Sequence, residues 1–505
     1  MSTDRGRQPA RPIASVRTRL AILAVAALTL AAALALAGPG THSPALGRAA
    51  AAQAPPNVLV IETDDQTLES MRVMKNVNSL IGDQGATFAN SLVNYSLCCP
   101  SRATFLTGQY AHNHGVWTNT APDGGFGRFE SLHAHDNLAV WLQDAGYYTA
   151  MIGKYLNQYE NQPLVPPGWS EWHAVAPEPY RPYNYTLNDD GTLVNYGQRP
   201  ADYEQDVLTR RAVDFVDRRT PEAQPFFLWL TYTVPHSGGP YHDPNRPTNC
   251  NNAPKPPTRY AHAFDSEPLP RPPSFDEPNV GDKPAAIRKR ARFAPSTVAY
   301  IERNYRCELE SLLAVDDGVR KLIAALKAKG ALANTLIVYT SDNGFFHGEH
   351  RIAQGKMRPY EESIRVPLEM RGPGIPQGVT ISPLAINADL APTIVDAANA
   401  HPGLVMDGRS LLPVTRKPKV DKGRQMLIEQ PGFEAIRTRR YMYVEYENGE
   451  RELYDLKRDP YELESRHRDS AYASVERELA ARLELLRGCA GSSCRIQRAD
   501  PPAPP

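Results

Sequence analysis

The chain has no excess charge of either sign. Lys+Arg and Asp+Glu each total 56 in 505 residues, for a formal net charge of 0. That balance gives no electrostatic footprint for nucleic acid or for an anionic membrane surface. Cysteine is scarce, with six residues. Outside residues 20–37, no stretch is long and apolar enough to span a bilayer. The N-terminal basic head holds no twin-arginine pair, reading Arg17-Thr18-Arg19, and the chain offers no His-rich set of metal ligands. These absences exclude a nucleic-acid binder, a polytopic membrane protein and a zinc-type site.

An Arg-rich head followed by the apolar run Leu20–Ala37 reads as an export signal. Ala35-Leu36-Ala37 and Ala52-Gln53-Ala54 are both small-x-small cleavage candidates, and a retained membrane anchor is the alternative. The expected organisation is a signal and linker over 1–54, a catalytic domain over 55–389, a smaller α+β domain over 390–488, and a tail over 489–505 that is disordered after Cys494. Export permits disulfides. With Cys98 and Cys99 set aside, four cysteines allow three pairings. The short loop Ala490–Ser493 suits a Cys489–Cys494 pair, which leaves Cys250 for Cys307.

Four apolar runs read as buried parallel strands, and each ends in polar residues. Asn57–Ile61 leads into Asp64-Asp65, Tyr147–Ile152 into Lys154, Phe226–Thr233 into His236, and Thr335–Thr340 into Asp342-Asn343. Adjacent carboxylates at the end of a buried strand are costly unless a cation or hydrogen bonds hold them. In open α/β sheets, ligands bind at that carboxyl edge. From Thr297 to Lys329 the apolar positions keep a helical spacing, with Asp316-Asp317-Gly318 as a candidate break. Strands alternating with helices define an α/β fold, a mainly parallel sheet covered on both faces. Residues 240–295 are a Pro-rich insertion, readable as a floppy loop or as a cover over the site, because it starts just after His236. Tyr441–Tyr446 and Arg451–Leu456, joined at Asn448-Gly449, form a hairpin. Val475, Leu479, Leu483 and Leu486 mark an amphipathic helix that Gly488 ends.

Asp64, Asp65, Asp342 and Asn343 offer only oxygen ligands, which suit Ca²⁺, with Mg²⁺ as the alternative. His112, His114, His347 and His350 are assigned structural roles. The stretch Cys98-Cys99-Pro100-Ser101-Arg102 places a thiol at the start of a helix. Pro100 suits the first helical position and Gly108 the C-terminal stop. Arg102, four residues on, is expected to fold back towards Cys98. A helix N-terminus favours anions, so a nucleophile there suits a tetrahedral oxyanion such as sulfate or phosphate.

Cys-x-Pro-Ser-Arg followed by Leu106-Thr107-Gly108 resembles the signature of the type I sulfatases. The resemblance extends through Asp64-Asp65, Gly153-Lys154, Pro235-His236, Ser341-Asp342-Asn343-Gly344, and Lys356 ahead of Tyr360-Glu361-Glu362-Ser363. It reaches Leu453-Tyr454-Asp455-Leu456 with Asp459-Pro460. Gly153-Lys154-Tyr155-Leu156-Asn157 and Tyr183-Asn184-Tyr185-Thr186 are similar to the glucosamine-6-sulfatase and heparan endosulfatase branch. Leu156 departs from the His that many sulfatases carry there, as that branch also does.

The resemblance implies an alkaline-phosphatase-like fold and one Ca²⁺ per subunit, held by Asp64, Asp65, Asp342, Asn343 and the modified Cys98. It implies that a formylglycine-generating enzyme oxidises Cys98, not Cys99, to formylglycine. One hydroxyl of the hydrated aldehyde would attack sulfur and the other would expel sulfate. Arg102 and Lys154 would hold the hydrate, and His236 and Lys356 would contact the sulfate and assist the leaving group. The implied activity is that of a secreted sulfuric ester hydrolase acting on a sulfated carbohydrate, such as a 6-O-sulfated glucosamine. A phosphonate monoester or phosphodiester hydrolase, a broad arylsulfatase and a non-catalytic glycan binder are the alternatives.

Overall fold

A parallel strand covered on both faces has no solvent side, so its sequence reads as one apolar run. Residues 55–159, 163–176, 179–220, 222–238, 250, 253–420 and 423–504 are described in a computed structural model. The export signal expected over 1–54 lies outside them. The strands are β1 (Asn57–Asp64), β2 (Ala86–Phe88), β3 (Ser91–Leu92), β4 (Tyr148–Gly153), β5 (Glu171–Ala176), β6 (Thr186–Asp189), β7 (Thr192–Asn195), β8 (Phe226–Pro235), β9 (Thr335–Ser341), β10 (Leu368–Arg371), β11 (Val379–Ile381), β12 (Ala385–Ile386), β13 (Met426–Gln430), β14 (Phe433–Arg437), β15 (Tyr441–Tyr446) and β16 (Arg451–Asp455).

A ten-stranded sheet runs β11-β2-β10-β9-β1-β8-β4-β5-β6-β7. Its centre is parallel, with β1 between β8 and β9 and β4 beyond β8. Antiparallel strands complete it at β10 and at β6 and β7. The four runs that end in polar residues are therefore four adjacent strands. Alternate residues of β1 face opposite layers, and both layers are buried. Val58 and Val60 join Phe227, Trp229 and Val338 on one face, while Leu59 and Ile61 join Leu228, Leu230 and Ile337 on the other. A two-stranded pairing of β12 with β3 and a four-stranded antiparallel sheet, β13 to β16, complete the strand inventory. The helix Ala473–Arg487 packs its Val475, Leu479, Leu483 and Leu486 on the small sheet, in one core with Leu92, Ile364 and Ile386.

Several expectations change. The helix Pro295–Ala328 is continuous, with no break at Asp316-Asp317-Gly318. The Asp316 carboxylate instead accepts from the backbone N–H groups of Asn76 and Val77 at 2.9 and 3.0 Å. Gly318 allows the helix to lie against β8, because a Cβ there would meet the Tyr232 hydroxyl at 2.5 Å and Thr209 Oγ1 at 2.7 Å. The helix Leu390–Ala398, which opens the region expected as a smaller domain, packs into the large-sheet core through Leu390 and Ile394. The expected disordered tail is ordered over 495–504: Gln497 bridges Arg424, and Arg498 N–H donates to the Gly423 carbonyl at 2.8 Å.

Within the Pro-rich insertion, Phe264, Leu269, Phe275 and Phe293 pack with Ile301, Tyr305 and Leu309 of the long helix. The insertion also lies against the segment between Asn343 and Lys356: Asp276 N–H donates to the Gly348 carbonyl at 2.8 Å, and His350 N–H to the Ser274 carbonyl at 2.7 Å. Cys250 pairs with Cys307, and Cys489 with Cys494.

Candidate active site

Strand register assembles the site. Asp64 lies beside Pro235, Thr63 beside Ser341, and Gly153 beside Thr231. Asp64-Asp65, His236, Asp342-Asn343 and Lys154 thereby leave the sheet at one edge. The helix Cys98–Thr107 brings its first residue to the same place. Leu97 is the N-cap, so Pro100 is the third helical residue and not the first. Its missing N–H still falls in the first turn, where it has no intrahelical partner. Gly108 closes the helix in the left-handed region, at φ 68°, with its N–H on the Thr104 carbonyl.

Cys98 is fully buried. The Lys356 ammonium donates to its sulfur at 2.9 Å, and Asp64 Oδ1 lies 3.5 Å from it. Lys356 also reaches Asp65 Oδ1, and Asn343 Oδ1 at 3.3 Å. The Lys154 ammonium is paired with Asp64 Oδ2. Burial pushes the Cys98 thiol up to about 12, and the Asp64 charge adds to the effect. For Asp64, burial opposes ionisation, but Lys154, His236, Arg102 and Lys356 outweigh it and hold the carboxyl well below the usual carboxylate range. Burial likewise works against both ammonium groups. Asp64 and Cys98 at Lys154, and Asp65 and Cys98 at Lys356, more than offset it, so both stay cationic.

Arg102 does not fold back onto Cys98. Its guanidinium donates to Asp342 Oδ2 at 2.9 Å and to the Lys154 carbonyl at 2.9 Å, and lies 3.4 Å from Glu62 and 3.5 Å from Asp64. A fully buried guanidinium seeks charged partners, and three carboxylates at the strand ends supply them. Burial raises Glu62 to about 7 against the pull of Arg102, and raises Asp342 to about 6 with help from Asp64. Ser101 Oγ donates to the Asp342 carbonyl at 2.5 Å and accepts from Asn387 at 3.0 Å, which ties the helix to the end of β9.

His236 Nδ1 lies 2.8 Å from the Ser237 carbonyl, so Nδ1 carries the proton and Nε2 the lone pair in the neutral ring. Nε2 lies 3.7 Å from Asp65. Burial lowers the pKa of this imidazole against the pull of Asp65 and Asp64, which favours the neutral form. Its ring stacks on Tyr180 at 4.0 Å between centroids and 11° between planes. The Lys154 ammonium lies over the same Tyr180 ring at 4.8 Å. Tyr180 and Glu62 complete the site without having been singled out as site residues. Tyr180 lies in an irregular stretch, whereas Glu62 stands two positions before Asp64, the first of the expected ligands.

The donor set suits a hard cation. Asp64, Asp65, Cys98 and His236 each present a ligand atom within 4.8 Å of the others. Asn343 donates to Asp65 Oδ1 at 2.5 Å, and Asp65 N–H donates to Asp342 Oδ1 at 3.2 Å. The Asp64 and Asp65 carboxylates of this cluster, with Asp342 and Asn343 beside them, offer the oxygen ligands that a hard cation such as Ca²⁺ takes. The other histidines are held elsewhere: His112 on Glu429, His347 on Glu308, His350 on Glu277, and His114 against Thr104.

Residues 56–400 match the family model described as Sulfatase. The chain belongs to the sulfatase family. Residues 348–488 of this sulfatase also match the model described as N-sulphoglucosamine sulphohydrolase, C-terminal. It is 37% identical over 385 residues to an extracellular sulfatase homolog of Caenorhabditis elegans, covering 75% of this chain and 52% of that one. It thus spans about half the length of that relative. It is 32% identical over 498 residues to the N-acetylglucosamine-6-sulfatase of Capra hircus, covering 88% of this chain and 85% of that one. A solved structure of a protein in complex with its substrate D-glucosamine-2-N,6-O-disulfate shares the fold at a TM-score of 0.71 and 25% identity, covering 85% of this chain and 97% of that one.

Proposed function

We propose that this sulfatase is an exported hydrolase of sulfate monoesters and that its substrate carries a 6-O-sulfated glucosamine unit. One observation carries the reading. Cys98, at the head of a buried helix, has a fixed ammonium 2.9 Å from its sulfur and the Asp64 carboxylate at 3.5 Å. The relatives named above support the choice of sugar, and an extracellular relative supports export. No helix among the described residues is long and apolar enough to cross a membrane.

Conversion of Cys98 by a formylglycine-generating enzyme would supply an aldehyde hydrate, whose second hydroxyl allows sulfate to be expelled. A Ca²⁺ or Mg²⁺ held by Asp64, Asp65, Asp342 and Asn343 would supply Lewis-acid polarisation of a sulfate oxygen. The remaining work falls to side chains already in place. Lys154 and Lys356 hold the negative oxygens of the ester in a buried setting, where fixed charge acts more strongly than in water. His236, with Nδ1 on the Ser237 carbonyl, would take at Nε2 the proton that the attacking hydroxyl of the hydrate gives up and pass it to the sugar oxygen as the S–O bond breaks. Arg102 fixes Asp342 and the Lys154 carbonyl, and so acts as a positioning residue.

The test has two arms. The tryptic peptide Asn76–Arg102 from protein made in its own host carries an aldehyde or its hydrate at position 98, read by mass. Matched aryl sulfate and aryl phosphonate esters, with glucosamine 6-sulfate alongside, give higher kcat/KM for the sulfates. A clear preference for the phosphonate overturns the sulfatase activity, and a wholly unmodified thiol in active enzyme overturns the formylglycine chemistry.

A further inference from the structure

Outside the site described above, three ligand-type side chains converge from both ends of the segment that carries Lys356. His350 stands six residues before Lys356, and Glu362 six residues after it, on the short helix Glu361–Ile364. Glu462 joins them from the turn after β16. Each presents a ligand atom within 4.8 Å of the others, and His350 Nε2 lies 3.6 Å from Glu362 Oε2.

Each of the three commits its other polar atom to the protein. His350 Nδ1 pairs with Glu277 Oε2 at 2.9 Å, so in the neutral ring Nδ1 carries the proton and Nε2 the lone pair. Glu362 Oε1 accepts from Ser274 Oγ at 3.1 Å, and Glu462 Oε2 accepts from Glu361 N–H at 2.9 Å. One atom apiece is left over. Among the described residues, His350 Nε2, Glu362 Oε2 and Glu462 Oε1 have no hydrogen-bond partner. His350 is 0% exposed and Glu462 1%. Buried polar atoms are rarely left unpaired, and three acceptors cannot satisfy one another without protons or a cation. The imidazole is fixed in place by its stack on Tyr360, at 4.2 Å between centroids, and by His350 N–H on the Ser274 carbonyl at 2.7 Å.

Geometry and charge favour a cation. At 3.6 Å the imidazole does not reach Glu362 as a hydrogen bond. Two ligands of a tetrahedral zinc, each about 2.0–2.2 Å from the metal, stand roughly 3.4 Å apart. Burial lowers the pKa of His350, but Glu362 and Glu277 outweigh it and raise it to about 10. Burial pushes the Glu462 carboxyl well above its ordinary range, with help from Glu361 and Glu362. Without a cation the cluster therefore retains protons at both residues, and a dication carries the charge of both. Lys283 lies 3.5 Å from Glu277 and donates to the Glu462 carbonyl. With the imidazole neutral, Glu277, Glu362 and Glu462 are balanced by that one ammonium and a dication. A cavity of about 540 Å³, lined in part by Glu362, Glu361, Glu349 and Tyr461, offers the ion a route in.

We propose that His350, Glu362 and Glu462 bind one Zn²⁺, which braces both ends of the Lys356 segment against the turn after β16. One imidazole and two carboxylates suit zinc, whereas Ca²⁺ takes six to eight oxygens. A site drawn from positions 350, 362 and 462 escapes the criterion of a His-rich set, by which the sequence excludes zinc. This second cation is distinct from that at Asp64 and Asp65, and the inference does not depend on the substrate.

The full-length protein, held in saturating Ca²⁺ so that the first cation site stays filled, is stripped with dipicolinate and titrated with Zn²⁺. One equivalent of Zn²⁺ is expected to bind, read by elemental analysis after gel filtration, and to raise Tm. Affinity should fall as pH falls, because binding displaces protons. Glu462→Gln keeps an acceptor for Glu361 N–H and should weaken Zn²⁺ binding at least tenfold. Glu277→Gln, which loosens the hold on the His350 ring, should weaken it by about 10–100-fold. No bound Zn²⁺, a Tm indifferent to Zn²⁺, or equal affinity in Glu462→Gln overturns the inference. Turnover of glucosamine 6-sulfate, measured alongside, tests the sulfatase reading separately, so either can fail while the other stands.

Discussion

The Lys356 ammonium lies 2.9 Å from the Cys98 sulfur and also contacts Asp65 and Asn343. One side chain therefore joins the expected nucleophile to two of the expected cation ligands. Lys356→Met should lower kcat/KM on glucosamine 6-sulfate by about 10²–10³-fold while leaving the far-UV circular dichroism intact. A loss below tenfold would remove Lys356 from the reacting centre.

The two adjacent cysteines should separate cleanly. Cys98→Ala is expected to abolish turnover. Cys99 belongs to the core cluster with Phe105, Leu106 and Phe126, so Cys99→Ala should cost stability but retain substantial activity. Comparable kcat losses from both changes would undo the assignment of Cys98.

Arg102 and Asp342 form a fully buried pair. Arg102→Met leaves Asp342, Glu62 and Asp64 without their guanidinium and should destabilise the fold by about 3–5 kcal/mol, measured by urea unfolding. Asp342→Ala should instead remove the response to added Ca²⁺. The parent protein should gain about 2.7 kcal/mol at 100 times the dissociation constant. An undiminished rise in Tm with Ca²⁺ in the variant would exclude Asp342 from the ligands.

His112 supplies a pH-dependent contribution away from the site. Burial lowers its pKa, but Glu429 at 2.9 Å more than reverses this and raises it from 6.5 to about 9. A raised folded pKa means that the stabilisation is complete below about pH 6.5 and is lost as pH climbs through about 9. The stability gap between the parent and His112→Asn should therefore narrow by on the order of 1–3 kcal/mol between those limits, read as denaturant midpoints. A gap that is constant with pH would mean that the charge on His112 contributes nothing.

The two disulfides close loops of very different length, with sequence separations of 57 and 5. On the loop-entropy account, Cys307→Ala should cost about 4 kcal/mol and Cys494→Ala about 2 kcal/mol. The reverse ranking in guanidinium unfolding would indicate that local packing, not chain closure, dominates.

The strands that position Asp64, Lys154, His236 and Asp342 were readable because burial on both faces leaves a continuous apolar run, and because the four are neighbours in one sheet. Cys98 and Lys356 were readable only through a motif, since nothing in a lone thiol or lysine announces its partners. The tertiary partners of Arg102 could not be read from helical spacing. An i, i+4 relation shows which side chains share a helix face, but not that carboxylates from two strands outcompete that contact. Tyr180 stacks on His236 from a stretch without periodicity. Strands β13 and β14 escaped notice because they are five residues each and meet across Pro431-Gly432.

Gly318 has a consequence beyond the packing it permits. It sits on the long helix and touches no residue assigned to chemistry, yet its missing side chain sets how closely that helix lies against Tyr232. Tyr232 is four positions before His236 on the same strand and its outgoing turn. A methyl group at 318 would press on the Tyr232 and Thr209 hydroxyls, which hydrogen-bond each other at 2.8 Å, and would force that pair apart. The hydrogen bond between two strand- and helix-borne hydroxyls thus depends on the absence of a side chain on a third element.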